Sequence, residues 1–232
     1  MARLLPAIML LVIGLICVRP ASAQSRTGAV LEQGVVVNSV PREIDTRARY
    51  LFYISGYIVA EGNTRPTSLE FGVYEYEKIL EAFKERGFIV ISEARKQSRD
   101  IEPYAVKVAG QVGELLKAGV PAKNITVVGA SQGSWIAMLV STHVANRELS
   151  FVFIAACAAD DGLLKLVNLH GNVLFISERT DQPGSCQRFR DDAQGIRDYD
   201  SIEVNTGLKH GFLYRPVKDW IEPAIAWAQR MR

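Results

Sequence analysis

Histidine and cysteine are both scarce in this chain, three of each among 232 residues. Metal centres are built from His, Cys, Asp and Glu clustered at ligand spacing. No such cluster occurs in the sequence, so neither a metal nor a cofactor is expected. The basic residues form no stripe, which argues against a nucleic-acid partner. After residue 18 no apolar run approaches the length of a membrane span. Repeats, low-complexity tracts and linkers are missing as well, so a single domain is expected.

The N-terminus carries a clear signal. Arg3, the apolar stretch Leu4 to Val18 and the small residues Ala21-Ser22-Ala23 read as a signal peptide over 1–23, with cleavage near Ala23. The apolar stretch is short for a span, and Ile16 stands where a small residue would precede a lipoprotein cysteine. The expectation is therefore an exported product, periplasmic or secreted, with no stable membrane anchor. Residues 1–23 hold Arg3 and Arg19 and no acid, so 27 basic residues less these two leave 25 against 25 acidic ones, formally neutral. About 209 of the 232 residues remain, enough for one domain with a sizeable core. Cys17 leaves with the peptide. Cys157 and Cys186 form an even pair in an oxidising compartment, expected as a disulfide worth about 3 kcal/mol on the chain-entropy view. Two buried free thiols are the alternative.

Along 24–232, apolar runs alternate with helical periodicity. Val30 to Val40 carries two short β-rich runs, expected as an antiparallel start to a sheet. Strands are expected at Arg49 to Ile54, Phe88 to Ile91, Ile125 to Val128, Phe151 to Ile154, Val173 to Ile176 and Ser201 to Val204. Helices are expected at Tyr74 to Arg86, over Tyr104 to Leu116, after residue 134, around Leu163 to Val167, and from Trp220 to Met231. Continuous apolar strands alternating with helices indicate an α/β fold, a mostly parallel central sheet covered on both faces in three layers. In such sheets the functional site lies beyond the carboxyl ends of the strands.

One motif sits at such an end. Gly129-Ala130-Ser131-Gln132-Gly133 is a Gly-x-Ser-x-Gly sequence between an expected strand and an expected helix. The spacing has a physical reason. A tight turn lifts the serine hydroxyl off the sheet, and the glycines remove side chains where strand and helix approach. The helix N-terminus directs free N–H groups at the reacting centre. The backbone N–H of Gln132 is expected to hold an oxyanion. A second donor is expected after the strand ending at Ile54, from the N–H of Tyr57 next to Gly56.

A serine hydroxyl needs a general base. His143 falls on an apolar helix face and is expected to be packed in the core, and His170 precedes a strand at the far end of the sheet. His210, in Lys209-His210-Gly211-Phe212 after the last strand, is the expected base. Asp181, in the loop after Val173 to Ile176, is the expected partner of that histidine and gives the chain order Ser–Asp–His. Glu178, and Asp160 or Asp161, remain alternatives for the acid. Tyr57, Trp135, Phe212 and Tyr214 are candidates for an apolar pocket or for the core.

With these residues the chain resembles an α/β-hydrolase of the serine-esterase kind over nearly all of 24–232. The carried positions are Gly129 to Gly133, Asp181 and His210-Gly211-Phe212. The resemblance implies hydrolysis of a small-molecule carboxylic ester or thioester through an acyl-enzyme. Many members have His-Gly where this chain has Ser55-Gly56. Only 158–171 separates two successive strands where larger members insert a cap, so an open site is expected. The size is that of dienelactone-hydrolase-like members, whose nucleophile is usually cysteine. In this fold Cys157 and Cys186 both fall at the site edge, where their disulfide would steady the loop carrying Asp181. A peptidase or acyltransferase would use the same triad. A binding or scaffold protein on the same fold is the alternative from a different class.

Overall fold

The computed structural model describes residue 1 and residues 34–157, 161–181, 186–191 and 193–230. The expected signal peptide lies, apart from Met1, outside the described residues. So do Asp160 and the side chain of Asp161. The described residues from Gly34 onward belong to one compact unit.

Its centre is a seven-stranded sheet. The strands are β1 (Val35–Val37), β2 (Arg49–Ile54), β5 (Phe88–Ile91), β6 (Ile125–Ala130), β7 (Ser150–Ile154), β8 (His170–Glu178) and β9 (Gly195–Val204). Their order is β1-β5-β2-β6-β7-β8-β9, and every neighbouring pair is parallel. A separate two-stranded hairpin, β3 (Thr67–Ser68) with β4 (Gly72–Val73), is antiparallel.

Residue alternation sorts the core into two layers. Tyr50, Phe52, Ile125, Val127, Phe151, Phe153, Val173 and Phe175 face one cluster with helices α2 (Glu102–Lys117) and α3 (Gln132–Val144). Leu51, Tyr53, Val128, Val152, Ile154, Leu174 and Ile176 face the other, with α1 (Tyr76–Lys84) and α6 (Lys218–Gln229). Both faces of each central strand are covered, which is why those strands read as unbroken apolar runs. Two short helices, α4 (Asp161–Leu166) and α5 (Gln187–Asp191), follow β7 and β8.

Three expectations change. The sheet does not open with an antiparallel pair: β1 runs parallel to β5, and β5 lies between β1 and β2. Residues 38–48 carry the chain past the place of β5 into β2, which runs in the same direction as β1, whereas an antiparallel start needs a tight turn. The first of the two expected runs, up to residue 33, lies outside the described residues. β9 begins at Gly195, well before Ser201, because it is an edge strand with much of its length exposed, including Arg197 and Asp200. Its polar half shows no apolar run. His143 is on the exposed side of α3, not in the core, and its Nε2 pairs with Glu102 at 2.9 Å.

Candidate active site

β6 ends at Ala130 and α3 begins at Gln132, so Ser131 alone makes the turn. Its backbone sits at φ 55°, ψ −122°, in a region that costs an L-residue about 1–3 kcal/mol. The glycines make the turn possible. A Cβ on Gly129 would lie 2.3 Å from the Gly133 carbonyl oxygen, and one on Gly133 would lie 1.9 Å from the Ile54 oxygen. The buried Ser134 fastens the turn to the next strand. Its Oγ donates toward the Gly129 and Ile154 carbonyls at 2.7 Å each and accepts the Ile154 N–H at 2.8 Å. The Ser131 N–H also donates to the Ile154 carbonyl, at 2.9 Å.

His210 and Asp181 arrive from loops after β9 and β8. His210 Nε2 lies 3.0 Å from Ser131 Oγ, and His210 Nδ1 lies 2.7 Å from Asp181 Oδ2. A carboxylate only accepts, so Nδ1 carries the proton and Nε2 is left to accept from the serine hydroxyl. The Asp181 side chain is 9% exposed and that of His210 28%, so the acid is shielded while the base stays reachable. The expected trio therefore meets in one hydrogen-bonded line. His170 stands apart at the start of β8, its Nδ1 2.8 Å from the Asn168 carbonyl oxygen.

Glu178, an alternative for the acid, is buried and does not face His210. It joins the two loops instead. Its carboxylate accepts from Thr180 N–H (3.2 Å) and Thr180 Oγ1 (2.9 Å), and from Thr206 N–H (2.8 Å) and Thr206 Oγ1 (2.7 Å). The Gly207 N–H adds a longer contact at 3.4 Å. Burial pushes this carboxyl up, but the hydrogen bonds from Thr206 and Thr180 outweigh it and hold Glu178 below the usual carboxylate range. A disulfide joins Cys157, just past β7, to Cys186 in the Asp181 loop.

The cleft above Ser131 has a volume of about 430 Å³ and is lined by Gly56, Tyr57, Ile58, Tyr74, Gln97, Ser131, His210, Leu213 and Tyr214. His210 is the one ionisable group of His, Lys, Arg, Asp or Glu type among these lining residues. Of the four aromatics singled out in the sequence, Tyr57 and Tyr214 line the cleft. Phe212 is wholly buried in the core, and Trp135 packs against the α2–α3 side of it. Gly56 faces the serine: a Cβ there would lie 3.5 Å from Ser131 Cβ. The sequence reading missed Ile58, Tyr74, Gln97 and Leu213. It also missed Arg95, whose guanidinium reaches Ser55 and Gln132.

No protein-family model matches the sequence, and no curated protein matches it. Solved structures similar to this chain include a protein described as a hydrolase of the alpha/beta superfamily from Xanthomonas campestris pv. campestris, at 14% identity over 78% of this chain and 95% of that one, TM-score 0.49. SOBER1 from Arabidopsis thaliana is similar at 9% identity over 77% of this chain and 99% of that one, TM-score 0.46. Est1E from Butyrivibrio proteoclasticus is similar at 10% identity over 77% and 86%, TM-score 0.49. A parallel sheet ordered β1-β5-β2-β6-β7-β8-β9, helices on both faces, and a serine turn between the central strand β6 and α3 make this an α/β-hydrolase fold.

Proposed function

We propose that the chain is a serine hydrolase that cleaves an uncharged carboxylic ester or thioester through an acyl-enzyme. The observation that carries this reading is the continuous line from Ser131 Oγ through His210 to Asp181, at 3.0 and 2.7 Å, with the serine on a strained turn. Ser131 Oγ attacks the acyl carbon while its proton passes to His210 Nε2. Asp181 steadies the imidazolium that results. The N–H groups of Gln132 and Tyr57 receive the negative charge that develops on the carbonyl oxygen. The carbon–oxygen (or carbon–sulfur) bond to the leaving group breaks, and His210 returns the proton to that group. Water then repeats the sequence on the acyl-serine and releases the acid. The mainly apolar lining of the cleft supports an uncharged acyl group.

The same reading includes export. The segment over 1–23 has the pattern of a secretory leader, and the Cys157–Cys186 disulfide fits an oxidising compartment.

Labelling with a fluorophosphonate probe tests the assignment. Wild-type protein is expected to label and Ser131→Ala to remain blank, after which p-nitrophenyl esters of increasing acyl length report the preferred chain. Folded wild-type protein that does not label overturns the hydrolase reading and favours a binding protein on this fold.

A further inference from the structure

Arg95 is a buried residue, 7% exposed, yet no carboxylate among the described residues lies within ion-pair distance of its guanidinium. Burial pushes its pKa down, as expected for a charge removed from water. Its hydrogen bonds go instead to two neutral oxygens on different segments. Nη1 donates to the Ser55 carbonyl at 2.8 Å, and Nη2 donates to Gln132 Oε1 at 2.7 Å. Neither end is loose. The Gln132 amide also donates to the Ser98 carbonyl at 3.0 Å, and the guanidinium lies 5.4 Å from the centre of the Tyr104 ring.

These two segments carry the proposed oxyanion donors. Gln132 is the first residue of α3, so its N–H has no acceptor within the helix. Tyr57 N–H has no acceptor among the described residues, and the Gly56 carbonyl of the same peptide accepts from Val59 N–H at 3.3 Å. A trans peptide is planar, so fixing that carbonyl turns the Tyr57 N–H the opposite way. The Gln132 side is already fixed by the glycines and Ser134. The Ser55–Tyr57 side leaves the sheet after Ile54 and reaches the surface, where Tyr57 is 44% exposed. It is the side that needs a tie.

We propose that Arg95 is a positioning residue that sets the spacing between the Tyr57 and Gln132 N–H groups by bridging Ser55 to the Gln132 side chain. The proposal rests on the serine-hydrolase reading. A planar guanidinium fork spans two acceptors at a fixed separation, which a lysine ammonium on a flexible stem does not. Two donors act on an oxyanion only when both meet the position the oxygen takes in the transition state. A tie between them therefore acts on kcat and leaves substrate binding nearly alone.

The test uses the full mature chain. Wild type, Arg95→Met, Arg95→Lys, Gln132→Met and the Arg95→Met/Gln132→Met pair are assayed on a p-nitrophenyl ester that wild type accepts. A trifluoromethyl ketone with the same acyl chain serves as a mimic of the tetrahedral intermediate. Arg95→Met is expected to lower kcat by about 10- to 100-fold, less than the loss of a whole donor. KM should move by no more than about twofold, and ketone affinity should fall in step with kcat/KM. Arg95→Lys is expected not to restore kcat, and the pair to be no worse than Arg95→Met alone. Gln132→Met keeps its backbone N–H and decides the matter if Arg95→Met does not fold. The proposal is overturned if Lys restores full kcat, if KM rises with kcat unchanged, or if ketone affinity stays at the wild-type value. Wild type that labels with fluorophosphonate while the variants match it overturns the Arg95 role alone. Wild type that does not label overturns the hydrolase reading and this role with it.

Discussion

On the Ser131 side of the cleft, backbone packing and one buried hydroxyl fix the turn itself. On the His210 side the fixing contacts converge on the carboxylate of Glu178 and on a disulfide. The Ser131 side belongs to the middle of the sheet, where β6 lies between β2 and β7. The His210 side is assembled from loops past β8 and β9, toward the sheet edge. Sterics place Ser131, and hydrogen bonds to a charge tie together the loops that carry Asp181 and His210. The two sides should therefore fail for different reasons and under different conditions.

The largest effect is expected from Gly133→Ala. Its new methyl would lie 1.9 Å from the Ile54 oxygen and 2.7 Å from the Ser55 oxygen, and backbone oxygens do not rotate aside. A loss of more than about 3 kcal/mol is expected, with fluorophosphonate labelling abolished although Ser131 is intact. Urea unfolding beside the labelling assay measures both. A variant close to wild-type stability would show that the turn relaxes, and the distinction between the two sides would weaken.

Glu178→Gln probes the other side. An amide brings a donor where Thr180 and Thr206 already donate, so a loss of about 2 kcal/mol is expected at neutral pH. Looser placement of His210 should lower kcat by about 10-fold. The pH dependence separates this from a packing defect. The Glu178 pKa is held down in the folded protein, so its contribution to stability is fully present above the unfolded value of about 4.3. That contribution is lost as pH falls through the lower folded pKa. The stability gap between wild type and Glu178→Gln is expected to be widest at pH 6–7 and to narrow below about pH 4. A gap independent of pH would assign the effect to shape and not to charge. Gly133→Ala should show no such narrowing.

The same division explains what the sequence made legible. Gly129 to Gly133 reads as a turn because its sterics are local, five consecutive residues between a strand and a helix. The strands near the sheet centre read well because both of their faces are buried. Asp181 and His210 were singled out from their positions after strands, and the structure brings them into one hydrogen-bonded line with Ser131. The contacts of Glu178 and Arg95 were not legible. Glu178 meets Thr206 across 28 positions, and Arg95 meets Gln132 across 37, and neither contact leaves a periodic or spaced pattern. The partners include backbone groups, which every residue supplies, so no side-chain pairing marks them. His143 misled because an apolar helix such as α3 still has one exposed edge, and that is where Glu102 meets it.

The smallest expected effect tests whether the Ser131 side stores strain. Both Ser131→Ala and Ser131→Gly remove Oγ and its contact with His210, so both should abolish labelling. They differ only at the backbone. Alanine keeps the Cβ that makes φ 55°, ψ −122° costly, and glycine removes it. Glycine also loses about 0.5–1 kcal/mol through its greater freedom in the unfolded chain, which offsets part of the relief. The glycine variant is therefore expected to be more stable than the alanine variant by about 1 kcal/mol. Paired thermal melts of the two inactive proteins give this difference directly. An alanine variant equal to or above the glycine variant would mean that the turn is held without strain. Ser131 would then be placed by packing alone, and the cost of the turn would lie in the glycine contacts around it.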